Sequence, residues 1–404
     1  FRTPSRTLAH WQTAHGLGAF GEADMQPWFE AVERRLSISA WPVPPNANNE
    51  LLRVGGEKLG IPVQAIARNV KACWNLGSCG MGCPTNAKQS MLITTIPSAL
   101  DAGARILVQT RAVRLETQGR SVARIVGHPV ALNGALDEKR KVTIEAAHIV
   151  VAAGAINSPA LLMRSGLPDP HELLGARTFL HPVVISAASF EQPVEGWAGA
   201  PQTLYSDHYL DTLALDGPIG YKLEAPPIHP LIYATTFAGY GRVQAERLAD
   251  LPHTQALLAL MRDGFHPQSV GGRVRLRRDG SPELHYDVNP YLLDGARRAL
   301  LSMAEIQFAA GARHVTPVHD GAGPYRSWSE AKAAIAALEL RPLATRMVSA
   351  HVMGGCPIGS DERTSVVNPE GRHWNLDNLS IHDGSLFPTS IGACLLYTSD
   401  AADE

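Results

Sequence analysis

Apolar residues recur at near-helical spacing in Trp28-Phe-Glu-Ala-Val-Glu33, so parts of residues 1–41 are expected to be helical. Pro42, Pro44 and Pro45 break that pattern. Residues 50–60 predict a helix stopped by Gly60, with Pro62 just past it, and residues 91–102 another, ended at Gly103. Residues 105–109 then read as a strand. Residues 121–125 and 141–144 read as paired strands around a polar turn. The run His148-Ile-Val-Val-Ala-Ala-Gly154 is short and β-branched, as a buried parallel strand should be. Ser158 is placed to N-cap a helix, Pro159 to start it and Gly166 to stop it. Strand, glycine turn and capped helix together suit cofactor binding at the carboxyl end of a sheet. Further on, residues 272–288 carry a hairpin signal around Asp279-Gly280, and residues 294–311 are patterned as a helix. Arginines alternate with Val and Leu in that hairpin, as on the solvated face of a strand.

The expected fold is α/β with an α+β insertion: a sheet region with helices over residues 176–345, set between two parts of an α/β domain. The 404 residues allow two to three domains. Hydrophobic residues make up 45% and charged residues 18%, enough to bury a substantial core. The net charge of −2, without a long basic run, argues against nucleic acid or an anionic membrane surface as main partner. Apolar runs such as residues 149–155 are too short for a transmembrane segment. The chain starts at Phe1, so cytoplasmic and periplasmic locations both stay open. The last eleven residues, Cys394 to Glu404, read as a translated sequencing adapter, which makes the chain an expected internal piece of a longer protein.

Three of five cysteines cluster at Cys73, Cys79 and Cys83. Zinc normally takes four ligands, and no fourth Cys or His lies at a usual spacing. Three thiols can hold an iron–sulfur cluster. A glycine-rich turn with structural thiols, or one disulfide, is the plainer explanation, since three close cysteines fit only the less common three-iron arrangement. A metal-binding electron-transfer protein built on these cysteines is therefore the competing functional class. The stretch Gly16-Leu-Gly18-Ala-Phe-Gly21 matches a dinucleotide-binding pattern, but what precedes it is polar and helix-like rather than a buried strand.

Three segments together resemble the glucose–methanol–choline (GMC) family of flavin oxidoreductases. One is Gly154-Ala-Ile-Asn-Ser-Pro159 through Gly166, with Pro168 where the family has Gly. Another is Cys83-Pro-Thr-Asn86-Ala87-Lys88, with Asn86 replacing Gly. The most specific is His351-Val-Met-Gly354-Gly355-Cys356, followed by Val366 to Gly371 and by Asp383-Gly384-Ser385-Leu-Phe-Pro388-Thr-Ser390. The resemblance implies FAD as cofactor and the oxidation of a small-molecule alcohol, with His351 as proton acceptor. It implies Gly154, Asp383, Gly384 and Ala112 as cofactor contacts. Residues 1–175 and 346–393 would form an incomplete FAD-binding Rossmann-like domain. Residues 176–345 would form an inserted antiparallel-sheet substrate domain. The family's N-terminal G-x-G-x-x-G and a second catalytic His or Asn, at the place held here by Cys394, are expected to be missing, so the fragment is expected to be inactive by itself. Some relatives carry a three-iron cluster at similar cysteines and pass electrons to an acceptor protein. The substrate pocket is expected between residues 186 and 240, lined by Trp197, Tyr205, Tyr209, Tyr221 and Phe237, which suits an aliphatic alcohol better than a sugar.

Overall fold

The computed structural model describes residues 2–41 and 43–392. Helices α1 (Ser5–His15) and α2 (Glu22–Arg35) open the chain and meet through Gly16 to Gly21. The dinucleotide-like glycines thus join two helices rather than a strand to a helix. Helix α3 (Ala47–Lys58) starts where the Asn46 side chain accepts from Asn49 N–H. Strand β1 (Gln64–Ala65) follows, then an irregular stretch containing the three cysteines, then the short helix α4 (Thr95–Asp101). The strand expected at 105–109 does not form: Ile106, Leu107 and Val108 stand more than half exposed with no sheet to join.

Strands β2 (Thr110–Gln118), β3 (Ser121–Pro129) and β4 (Val142–Ile144) form an antiparallel sheet, with Ile125 opposite Ile144 as the pattern predicts. Strand β5 (Ile149–Val151) then leads into helix α5 (Gly154–Arg164). The helix begins five residues earlier than expected, so Ser158 and Pro159 lie inside it. The Ser158 hydroxyl does not cap a later helix because it is engaged by Asp383.

The next region is dominated by β-structure. It contains β6 (Ala176–Thr178), β7 (Val183–Ser189), β8 (Leu204–Ser206) and β9 (Tyr221–Glu224). Helices α6 (Pro230–Thr236) and α7 (Arg242–Ala249) intervene before β10 (Thr254–Met261) and the hairpin β11 (Gly272–Leu276) and β12 (Pro282–His285). Helix α8 (Pro290–Ala309), β13 (His314–Pro317) and α9 (Trp328–Ala337) complete it. Strand β14 (Leu379–Ile381) returns to pair in parallel with β5.

The largest sheet is six-stranded and antiparallel, in the order β13-β7-β10-β9-β8-β1. The two-residue strand period decides what each face meets. Val184, Ala188, Leu257, Ala259, Met261, Tyr221 and Leu223 point to α8 and share a core with α3 and α9. Helix α3 and strand β1 therefore pack with this sheet although they precede residue 175. A second core joins the chain's two ends: Leu8 and Trp11 of α1 pack with Ile149, Leu162, Met353, Leu379, Ile381 and Ile391. This second core positions the candidate site.

Candidate active site

The site begins where β5 and β14 run side by side. Ile381 pairs with Val151, so Gly154 and Asp383 emerge at the same carboxyl end of the parallel pair. The Asp383 carboxylate accepts from Gly154 N–H at 2.9 Å, from the Ser158 hydroxyl at 2.5 Å and from Ser385 N–H at 2.8 Å. It thereby ties the N-terminus of α5, where anionic groups are favoured, to the turn at 384–386. Gly154 has φ of +80°, and a Cβ built there meets nothing within 4 Å, so this corner is open on the side away from Asp383. Open space beside a glycine at a strand end is what a cofactor approaching the backbone requires.

His351 is carried to this corner by backbone pairing. Gly354 N–H donates to Gly384 C=O at 2.9 Å, Cys356 N–H to Ser385 C=O at 2.9 Å and Ile358 N–H to Leu386 C=O at 3.0 Å. Gly354 has φ of +80°, and a Cβ there would lie 1.9 Å from the Arg177 carbonyl oxygen. The Gly-Gly turn thus lets the His351 segment pass against β6. Upstream, Val348 exchanges both backbone hydrogen bonds with Val183 at the start of β7. His351 is 4% exposed, and burial lowers its pKa to about 4. Its imidazole is consequently neutral at physiological pH, well clear of the ordinary histidine range. The neighbouring Cys356 thiol is fully buried and pushed well up, so it packs rather than reacts.

A second imidazole, His181, stands edge-on to His351 with ring centroids 5.8 Å apart. No spacing rule in the sequence joins it to a residue 170 positions away. Its Nε2 accepts from Gly392 N–H at 3.2 Å. Burial holds it neutral, reinforced by its His351, Lys222 and Arg262 neighbours. Lys222, buried on β9, pairs with Asp207 at 3.0 Å and lies over the Tyr205 ring.

Asp383, Gly384, Gly154 and His351 are therefore brought together. Ala112 is not joined to them. It lies exposed on β2, a strand whose hydrogen bonds to α5 fall at that helix's last turn, through Val113 with Arg164 and Leu115 with Ser165. The proposed second partner at Cys394 and the adapter-like residues 394–404 lie outside the described residues.

The iron–sulfur expectation is corrected by the geometry. Cys73, Cys79 and Cys83 are all free thiols, and among the described residues no group of three His, Cys, Asp or Glu side chains is placed to hold a metal ion. The segment has other work: Asn75 Oδ1 accepts from Ala200 N–H at 2.8 Å, and Gly77 lies against the Trp197 carbonyl, so the turn docks on the loop before β8. Burial raises the Cys79 thiol, which favours the protonated form. Of the expected aromatic lining, Tyr209 and Tyr221 stack on each other on the α8 side of the sheet, away from His351. A strand's period hid this, because Tyr221 and Lys222 take opposite faces.

Family models described as GMC oxidoreductase match residues 1–183 and 267–399. An uncharacterized GMC-type oxidoreductase of Sinorhizobium fredii is 27% identical over 395 residues, covering 97% of this chain and 74% of its own length. Another, from Mycobacterium tuberculosis, is 29% identical, covering 96% of this chain and 58% of its own length. The long-chain-alcohol oxidase FAO1 of Arabidopsis thaliana is 26% identical, covering 98% and 54%. The chain thus spans little more than half the length of the last two. Among solved structures, pyridoxine 4-oxidase from Mesorbium loti superposes with a TM-score of 0.66 at 18% identity, over 100% of this chain and 79% of that one.

Proposed function

The chain belongs to the GMC oxidoreductase family, and from that premise we propose that the protein oxidises an alcohol carbon with FAD as hydride acceptor. FAD supplies the two-electron chemistry when bound. Gly154, Asp383 and Gly384 are the residues that would hold it, at the open corner where β5 and β14 end. Asp383 keeps the α5 N-terminus and the 384–386 turn in one register, so the cofactor-facing backbone is fixed before anything binds. His351 is the group we assign to the substrate hydroxyl: a buried, neutral imidazole can take that proton, whereas a protonated one cannot. His181 stands edge-on to the same imidazole.

The observation that carries this reading is the hydrogen bond from Gly354 to Gly384, which locks the His351 turn onto the Asp383 corner across thirty residues of intervening chain. The test uses the complete open reading frame. It should purify yellow and reduce a dye in the presence of primary alcohols. His351→Gln should keep the flavin absorbance and lower kcat by about 10²- to 10⁴-fold, the usual range for a lost general base. A yellow His351→Gln enzyme with undiminished kcat would remove His351 from the mechanism. A colourless, inert product would remove the flavin reading itself.

A further inference from the structure

Two segments that meet at the candidate site form an antiparallel ladder with a gap in it. Phe179 and Met353 exchange both backbone hydrogen bonds, at 2.7 and 2.9 Å, and Val183 and Val348 do the same at 2.9 and 3.1 Å. Between these pairs, residues 180–182 face residues 349–352, three against four, so the ladder cannot stay in register. Both imidazoles, His181 and His351, belong to that gap. His181 there has φ of +50°, a left-handed backbone that residues other than glycine enter only at a cost. A contact from outside the ladder must hold the gap in one shape.

That contact is the buried carboxyl group of Asp263, just beyond β10. It accepts from Leu180 N–H at 3.3 Å and from His181 N–H at 3.2 Å. Among the described residues, neither of these amides donates to a backbone carbonyl. The Tyr286 hydroxyl, next to the end of β12, donates to the same carboxyl at 2.7 Å and fixes its plane. The backbone carbonyl of Asp263 also accepts from Ser390 N–H at 3.3 Å, close to Gly392, which bonds His181 Nε2. Leu180 then passes the constraint across the gap. Its carbonyl accepts from the Ser349 hydroxyl, whose oxygen accepts from His351 N–H at 3.2 Å. Tyr286, Asp263, Leu180, Ser349 and the backbone of His351 are thus one hydrogen-bonded chain, with the His181 ring held beside the His351 ring.

We propose that Asp263 is a positioning residue for the reaction: through Leu180 and Ser349 it aims the His351 imidazole at the substrate hydroxyl, and it sets the His181 ring against that imidazole. The inference rests on the alcohol-oxidation reading above and adds to it the group that fixes the direction of the base. Asp263 acts only through these contacts, because its carboxyl is buried and engaged by three donors. Proton transfer requires the two heavy atoms to stand within about 2.6–3.2 Å. A misplacement of about 1 Å can cost a hundredfold in rate. A one-residue excess in a ladder leaves more than one register open, so without its anchor the imidazole samples directions that miss the hydroxyl.

The test uses the complete open reading frame, purified with its flavin. Asp263→Asn turns an amide N–H2 toward one of the two backbone donors, and Ser349→Ala cuts the link at an exposed residue. Each should lower kcat about tenfold, with KM and flavin absorbance little changed. In a His351→Gln background neither should lower kcat further, because the ring that they aim is gone. Equal losses in both backgrounds mark a merely structural role and overturn the inference. A second readout is independent of turnover. In enzyme isotope-labelled at the histidine rings, the His351 resonance is identified by its absence from His351→Gln. It should shift in Asp263→Asn, in Ser349→Ala and in Tyr286→Phe, and a resonance unmoved in all three overturns the inference. Should Asp263→Asn fail to fold, Tyr286→Phe carries the same test from the Asp263 end, since it leaves both backbone donors in place. Undiminished kcat in His351→Gln overturns the role of His351 in oxidation; a shifted resonance in that enzyme's parent still upholds Asp263 as the group that orients the ring.

Discussion

Gly354 adopts a left-handed backbone that L-residues rarely enter, and a Cβ there would press on the Arg177 carbonyl at 1.9 Å. Both penalties act at once, because the turn cannot shift without breaking its bond to Gly384. Gly354→Ala should therefore destabilise by more than about 2 kcal/mol, well above the ordinary cost of a surface substitution. Urea unfolding of the variant checks this, and an unchanged midpoint would mean that the turn relaxes freely. At this scale the sequence was partly legible. The Gly-Gly-Cys turn after His351 and the Asp383-Gly384 pair were visible as motifs by their resemblance. The buried, neutral state of His351 was not, because it depends on segments more than a hundred residues distant that close over it. His181 and Lys222 were illegible for the same reason: the fold, not any local spacing, sets His181 edge-on to His351 and brings the Lys222 charge near it.

Elements show where local rules hold and where a distant partner overrides them. The hairpin around Asp279-Gly280 forms as its turn residues demand, with Leu276 opposite Pro282. Helix α8 starts at Asn289, whose side chain accepts from Leu292 N–H at 3.1 Å. Helix α5 defeats the cap rule: Ser158 and Pro159 look like its beginning, yet the chain is already helical from Gly154 because Asp383 caps it from 229 positions away. A remote carboxylate on three donors should matter more than a local amide on one. Asn289→Ala is expected to cost about 1 kcal/mol, the usual value for a lost N-cap. Asp383→Ala should cost on the order of 2–4 kcal/mol, since charge-assisted bonds contribute about 1.5–3 kcal/mol each and water restores only part. Chemical denaturation of both variants side by side decides it; Asp383→Ala proving no costlier than Asn289→Ala would show that α5 caps itself.

The whole molecule closes its second core only when both ends of the chain meet, Leu8 and Trp11 against Ile391 and Met353, and no window of sequence contains that contact. One consequence is that several histidines are buried together with this core. His351 and His373 are both lowered to about 4, by burial above all. In the unfolded chain a histidine titrates near 6.5, so between pH 6.5 and 4 the unfolded state binds protons that the folded state refuses. The stabilisation from keeping them neutral is complete above pH 6.5 and is lost as the pH falls through that window, by up to about 1.4 kcal/mol per pH unit for each histidine. Asp207, Glu224 and Asp263 act in the opposite sense from the ordinary carboxyl range upward, since burial raises their carboxyl pKa values and acid favours their protonated, folded forms. The histidine share is isolated by difference. His373 is 4% exposed and accepts from Asn375 N–H at 3.1 Å. His373→Gln can still accept that bond but cannot titrate. Unfolding free energies of the two proteins, taken from pH 7 to pH 4.5, should converge toward the acid end, the variant's curve being shallower by about 1 kcal/mol per pH unit. Parallel curves would show that His373 takes up its proton in the folded state as readily as in the unfolded one, and that the core around it admits water.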